Sequence, residues 1–235
     1  MINPDALKKL TNYIKLFWYF ASNWNPVLAS FLIYHDIKGE KKYHLNTNTP
    51  VELKDLTTGH HDTSKSSRYE AVNYFVLEDL MKKIRLLSPC KIFTDLGCGK
   101  GRAMVVAAHY GFTTIYGVDF AKELCRIAEM NMSAAAHSFE DLNYKVYCQN
   151  VLDYEINSEE CVFFLFNPFE EEIIRKILRK VDHSQKIHPR AVYFLYVSPR
   201  FIETFFEFDY DPVYRIKKLR YLEGVILKKM PGKKT

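Results

Sequence analysis

The sequence KIFTDLGCGKGR occupies residues 91–102 and decides the fold class. Its first six residues include the apolar Ile92, Phe93 and Leu96 as well as Asp95, and they are typical of a short buried β-strand. Gly97, Gly99 and Gly101 follow immediately, ahead of an apolar stretch with helical spacing. Glycines allow a tight turn and a close backbone approach to a ligand, and a helix start presents free N–H groups. The stretch therefore predicts a strand, a ligand-binding turn and a helix.

On either side of this stretch, short apolar runs alternate with segments of helical period. The runs that predict strands lie at 91–96, 113–118, 144–148, 162–166 and 191–197, and the predicted helices lie at 101–110, 121–136 and 170–182. Such alternation requires crossover connections and a largely parallel sheet covered on both faces. Two further β-rich runs within 210–230 predict an antiparallel hairpin at the sheet edge, with its loop near 219–223. The fold class is α/β with seven strands.

The first 68 residues are predicted to form a helical extension. Residues 16–34 carry no formal charge, but Asn23, Asn25 and Pro26 interrupt them, which favours two short helices joined by a turn. Peripheral membrane contact through this aromatic-rich region is the alternative. Residues 37–68 are polar and predict a long connection, a possible lid. The domain itself spans 69–230, beginning with an amphipathic helix that ends before Ser88, and 231–235 form a flexible tail.

Composition sets limits on partners and location. The net charge of +5 over 235 residues is too small to require nucleic acid, which stays possible but not favoured. The five cysteines form no C-x-x-C pair, which favours reduced thiols and a cytoplasmic protein. His60, His61 and Asp62 are adjacent on a polar loop, and adjacent residues rarely converge on one ion, so no metal site is predicted.

The glycine turn departs from two common phosphate-binding motifs. A dinucleotide fold has G-x-G-x-x-G, but here the third glycine position is Arg102. A P-loop has Ser or Thr after its lysine, but here Gly101 follows Lys100. The remaining pattern is D-x-G-x-G-x-G. A carboxylate at the strand end disfavours a pyrophosphate and favours a cation.

This pattern resembles the first motif of class I S-adenosylmethionine-dependent methyltransferases, a Rossmann-like family. The resemblance implies S-adenosyl-L-methionine as cofactor, and it places the loop residues Asp95, Gly97, Cys98, Gly99 and Gly101 against it. A turn that simply needs glycines is the alternative.

Two later strand ends continue the resemblance. The strand ending in Asp119 lies 22 residues after Gly97, where a ribose-binding acid is expected, and Phe120 beside it is assigned to the cofactor site. A solvent-facing aspartate is the alternative. Asp153 follows the third strand and is the candidate for the adenine amino group, unless it only caps a turn.

The fourth strand leads to Asn167-Pro168-Phe169, which is similar to the [D/N]-P-P-[Y/F] motif of methyltransferases that modify amino groups. The resemblance implies that Asn167 orients the acceptor and that Phe169 covers it. Only one proline is present, and a capped helix start is the alternative. Tyr69 is the third candidate, expected over the methionine end of the cofactor.

The sequence thus predicts an enzyme that transfers a methyl group to an unidentified small-molecule or protein side-chain acceptor, possibly an amine. One alternative is a methyltransferase for nucleic-acid base amino groups, because Arg215–Arg220 is a basic run. The other is a cofactor-binding module without catalysis, attached to a membrane. Methyl transfer from a sulfonium needs alignment and exclusion of water, and no general base stands out among the histidines and carboxylates.

Overall fold

The computed structural model describes residues 4–48, 71–166 and 169–232. Its strands are β1 (Ile92–Leu96), β2 (Thr114–Asp119), β3 (Asn143–Cys148), β4 (Val162–Phe166), β5 (Val192–Val197), β6 (Asp211–Lys218) and β7 (Leu222–Lys229). Its helices are α1 (Pro4–Asn23), α2 (Pro26–Tyr43), α3 (Tyr74–Leu87), α4 (Arg102–His109), α5 (Lys122–Ala136), α6 (Glu171–Ile187) and α7 (Ile202–Phe206).

The strands form one sheet in the order β3-β2-β1-β4-β5-β7-β6. The first five strands pair in parallel, and β7 pairs antiparallel with both β5 and β6. One hydrophobic cluster lies between the sheet and α3, α4 and α5, and a second lies between the opposite face and α6 and α7. Every residue of β5 is buried, as expected for a strand covered on both faces. The predicted α/β, Rossmann-like class is confirmed.

The C-terminal hairpin at the sheet edge is also confirmed. Its turn lies at 219–221, where Leu219 and Arg220 have φ of 48° and 65°. Of its two strands, β6 forms the edge of the sheet, and β7 lies between β5 and β6.

The N-terminal extension contains the two predicted helices and the predicted turn. Asn25 caps α2, since its side-chain oxygen accepts the N–H of Leu28 at 2.8 Å. The connection predicted from residue 37 is wrong in its first part, because α2 continues to Tyr43. The polar residues there alternate with buried ones, and Glu40 and Tyr43 both face the protein interior. In the described part of the chain, no helix combines the length and the hydropathy that crossing a membrane requires.

Two helix boundaries and one additional helix differ from the sequence interpretation. The helix expected from residue 69 begins at Tyr74, because the Asn73 side chain accepts the N–H of Phe75 at 3.0 Å and ends the extended segment. Helix α6 continues to Ile187, five residues beyond its predicted end. Helix α7, a single short turn, was not predicted.

The expectation of five reduced thiols is wrong for two cysteines. Cys90 and Cys161 form a disulfide, although 71 residues separate them. Each precedes a strand, and β1 and β4 are parallel neighbours with Phe93 opposite Val162, so the pairing brings the two cysteines together. The sequence has no local signal for this pairing. The cytoplasmic location stays a prediction, and it no longer has the support of five reduced cysteines.

Packing of α2 on α3 depends on Gly39. A Cβ atom there would lie 2.2, 2.3 and 2.6 Å from three ring atoms of Tyr74. That ring is buried and stacks on Tyr43, with centroids 5.6 Å apart, so it has little room to move. The absence of a side chain at this position lets the two helices approach.

We expect Gly39→Ala to destabilise the protein, even though alanine is favoured over glycine in a helix by about 1 kcal/mol. Overpacking typically costs about 1–3 kcal/mol, and the overlap with Tyr74 is severe, so the net loss should be about 1 kcal/mol or more. Urea unfolding monitored by circular dichroism measures it. Ser30→Ala, at an exposed position of α2, is the control without overlap. Equal stability of the two variants would contradict this packing argument.

Candidate functional site

The glycine turn after β1 has a left-handed backbone at each glycine. The φ angles are 83° at Gly97, 53° at Gly99 and 78° at Gly101, a region that side chains disfavour. The N–H of Gly97 donates to the carbonyl of Val118 at 2.8 Å, and the N–H of Gly101 donates to the carbonyl of Cys98 at 2.8 Å. These bonds hold the turn against the end of β2 and direct it into α4.

Asp119, the last residue of β2, contacts the glycine turn through its side chain. One carboxylate oxygen accepts the N–H of Gly99 at 2.9 Å, and the other accepts the N–H of Ala121 at 3.0 Å. Burial raises the pKa of Asp119, although these N–H groups oppose the rise. Each oxygen retains a second lone pair, so the carboxylate can also accept hydrogen bonds from ligand hydroxyls.

Asp95, in β1, lies next to Asp119 and the glycine turn, and 3% of its surface is exposed. Among the described residues, none donates a hydrogen bond to its carboxylate. Burial, and then the charge of Asp119, raise the pKa of Asp95 well above its ordinary value. A buried carboxylate without a partner is costly, so the site favours a positively charged ligand. The two aspartates and the open glycine backbone therefore fit a cationic compound that carries hydroxyl groups.

Arg102 begins α4 and connects the glycine turn to the N-terminal extension. Its guanidinium donates to the carboxylates of Asp36 and Glu40 at 3.0 and 3.1 Å. Its Nε donates to the Thr47 hydroxyl at 2.7 Å, and its remaining N–H groups donate to Asn48 and the carbonyl of Val72. The guanidinium is buried, and all of its N–H groups donate hydrogen bonds. It joins residues on both sides of the 49–70 segment to the helix that follows the turn.

A cavity of about 240 Å³ lies at the carboxyl ends of β4 and β5, next to Phe166. We call it the β4–β5 cavity. Its walls come from the α1–α2 hairpin, the start of α3, the strand ends and the β6–β7 turn; they are formed by Phe20, Trp24, Leu28, Leu32, Ala71, Asn73, Val76, Phe166, Val197, Ser198, Tyr221, Leu222 and Glu223. None of these described residues is basic. The cavity is a mainly apolar space on the same side of the sheet as the two aspartates, where the parallel strands have their carboxyl ends.

The remaining described candidates lie in different surroundings. Phe120 is partly exposed beside Asp119, whereas the Cys98 side chain is buried in the core and burial raises the pKa of its thiol. Phe169 packs against the hydrophobic cluster beneath α6. Asp153 is exposed after β3, and Asn150 caps that turn instead, because its side chain accepts the N–H of Leu152 at 2.9 Å.

Two of the three predicted acceptor-side residues, Tyr69 and Asn167, lie outside the described residues. The structure adds residues that the sequence did not identify: Arg102 was noted only because it replaced a glycine, and Asn73 was not noted at all. The hydrogen-bond partners of Arg102 lie 30 to 66 residues away, and Asn73 lines a cavity formed by distant segments, so a single sequence has no signal for either role.

The comparisons with known proteins place this geometry in a family. The family model described as "Histone methylation protein DOT1" matches residues 50–181, more than half of the chain. No curated protein sequence matches.

Solved structures agree on the fold. A Pyrococcus horikoshii protein assigned as an RNA methyltransferase has a TM-score of 0.51 at 19% identity, over 76% of this chain and 92% of that chain. The tRNA (uracil-54, C5)-methyltransferase of Pyrococcus abyssi, in complex with S-adenosyl-L-homocysteine, has a TM-score of 0.50 at 13% identity, over 77% of this chain and 43% of that chain. Because 869 solved chains match, the fold alone does not select an acceptor.

The glycine turn, the carboxylates of Asp95 and Asp119 beside it, the strand order and the family match lead to one conclusion: the chain belongs to the DOT1 family and is a class I S-adenosylmethionine-dependent methyltransferase.

Proposed function

We propose that this chain methylates a lysine side chain of a protein substrate. The match to a family described by histone methylation carries the proposal, because that description names a protein acceptor. The β4–β5 cavity supports it. Proteins that bind nucleic acid neutralise phosphates with Lys and Arg, and the described cavity lining has neither. Its volume, about 240 Å³, also suits one extended side chain.

The proposed cofactor site consists of the glycine turn with Asp95 and Asp119. In this assignment Asp119 accepts the ribose hydroxyls, for which its free lone pairs are available, and Gly97, Gly99 and Gly101 let the backbone approach. Asp95 supplies negative charge to the cationic end. Cys98 contributes through its backbone, since its side chain packs in the core, while Phe120 and Asp153 stay predictions at the adenine end.

When bound, S-adenosylmethionine supplies a methyl group on a positively charged sulfur. A nucleophile in line with the carbon–sulfur bond takes the methyl group, and the sulfur leaves as a neutral thioether. The chain's own contribution is to align the acceptor and to exclude water. The apolar walls of the β4–β5 cavity exclude water, and they favour the neutral amine that attacks over the charged ammonium. Asn167 and Tyr69 remain predicted acceptor-side residues. No described residue is assigned as a general base.

A labelling experiment tests the proposed acceptor. The purified chain is incubated with methyl-labelled S-adenosylmethionine and, in separate reactions, mixed core histones and total tRNA. We expect label in the histone protein, resistant to nuclease and recovered as methyl-lysine after hydrolysis. Gly99→Arg is the matched control, because a long side chain in the turn should block the cofactor. Label in tRNA alone, or in neither substrate, would refute lysine methylation.

We also expect cofactor affinity to depend on pH through Asp95. The raised pKa means that this carboxyl becomes protonated as pH falls, at a pH above the ordinary aspartate value of about 3.9. The cation binds the ionised form, so affinity should decrease as pH decreases through that range. Asp95→Asn should bind S-adenosylmethionine roughly tenfold or more weakly at neutral pH, with a flatter profile. Calorimetric titration between pH 5 and 8 measures both, and identical profiles for the two proteins would exclude Asp95 from the site.

A further inference from the structure

The two polar groups of the Asn73 side chain differ in their hydrogen bonding. Its side-chain oxygen accepts the N–H of Phe75 at 3.0 Å and caps α3. Its amide nitrogen is buried and has no hydrogen-bond partner among the described residues. Leaving a buried donor unsatisfied costs about 1–3 kcal/mol, so such a group in a folded protein calls for an explanation.

The location of Asn73 supplies that explanation. The residue lines the β4–β5 cavity, together with Phe20 and Trp24 at the end of α1 and Phe166 at the end of β4. The residue that carries the donor therefore forms part of the wall of a mainly apolar space. A ligand that fills the cavity and carries an acceptor atom would satisfy the nitrogen.

The described cavity lining has little net charge to offer a ligand. Glu223 is the one charged residue in it. Its carboxylate forms ion pairs with Arg215 at 3.6 Å and with Lys217 at 3.7 Å, and these two cations offset its charge. Aromatic rings attract an amine on an apolar stem, so Phe20 and Trp24 suit the approach of a lysine side chain.

The donor of Asn73 is suited to an oxygen of the ligand rather than to its amine. An amine that is to receive a methyl group needs its lone pair free, and a hydrogen bond from Asn73 to that nitrogen would occupy it. A lysine within a peptide offers amide carbonyl oxygens close to its stem, whereas a simple alkylamine offers none. An unpartnered donor therefore distinguishes the two.

We infer that the β4–β5 cavity binds a peptide lysine, with Asn73 donating a hydrogen bond from its amide to a backbone carbonyl of that residue. This assignment rests on the proposed function and adds a specificity determinant to it. Asn73 then serves as a positioning residue that selects lysine in a peptide over free amines. The amide donor, which has no partner among the described residues, then pairs with the acceptor peptide.

Trp24 allows binding to be measured without methyl transfer. The chain has two tryptophans, and Trp18 is 66% exposed, so Trp18→Phe leaves Trp24 as the single reporter in the cavity wall. This protein is saturated with S-adenosyl-L-homocysteine and titrated with Nα-acetyl-lysine N-methylamide or with n-butylamine. The two probes share stem and amine, but only the first has amide oxygens. We expect the capped lysine to bind roughly 3- to 10-fold more tightly, the effect of one hydrogen bond.

Asn73→Asp is the decisive variant. It keeps the oxygen that caps α3 and removes the amide donor, so it should fold and lose the preference for capped lysine. Asn25→Asp makes the same change at the cap of α2, outside the cavity lining, and should retain the preference. Thermal unfolding of both variants confirms that they are folded.

Three results would overturn the inference: an unchanged preference in Asn73→Asp, an equal loss in Asn25→Asp, or no response of Trp24 to the capped lysine. Failure of the proposed function is a separate result. Protein labelling can be absent while the capped lysine still binds with the Asn73-dependent preference, and labelling can occur without that preference.

Discussion

The buried guanidinium of Arg102 is the interaction on which the arrangement of this site depends. A buried charge is strongly unfavourable unless it is paired and hydrogen-bonded. Each N–H of the Arg102 fork has an acceptor, and the fork also lies over the ring of Tyr74, 4.2 Å from its centroid. Asp36 and Glu40 of α2 supply the opposing charge. The N-terminal helices and the first residue after the glycine turn are therefore held as one unit.

This arrangement links the proposed cofactor site to the proposed acceptor cavity. The α1–α2 hairpin is fixed to α4 through Arg102, and the same hairpin forms one wall of the β4–β5 cavity through Phe20 and Trp24. The N-terminal helices therefore form part of the proposed acceptor cavity. The division into an extension at 1–68 and a methyltransferase domain at 69–230 stays a prediction about the sequence, and these contacts cross it.

The parts of the fold that could be predicted from sequence are those with local signals. The strand and glycine turn are predicted by a pattern within the twelve consecutive residues 91–102. Strand β4 is predicted by an uninterrupted apolar run. The second half of α2 could not be predicted in this way, because Glu40 lies between the exposed Lys38 and Lys41 and looks solvent-exposed until the fold brings Arg102 beside it.

The same limit applies to the site. Asp95 and Asp119 could be proposed because each ends a strand, and parallel strands bring their carboxyl ends together. Asn73 could not, since its proposed role arises from a donor without a partner among the described residues and from a cavity assembled from five separate segments. The Cys90–Cys161 pairing also depends on strand neighbours 71 residues apart. Sequence patterns were enough to propose the cofactor residues, and tertiary contacts were needed to propose Asn73 and the cavity.

The position of β7 inside the sheet has a consequence for biosynthesis. The all-buried β5 pairs on one side with β7, which is the last strand along the described chain. While residues 222–229 are still inside the ribosome, a nascent chain has β5 with one open, apolar edge, a surface prone to intermolecular pairing. Closure of the sheet must therefore follow translation of this segment, and chaperone protection would matter most in that interval.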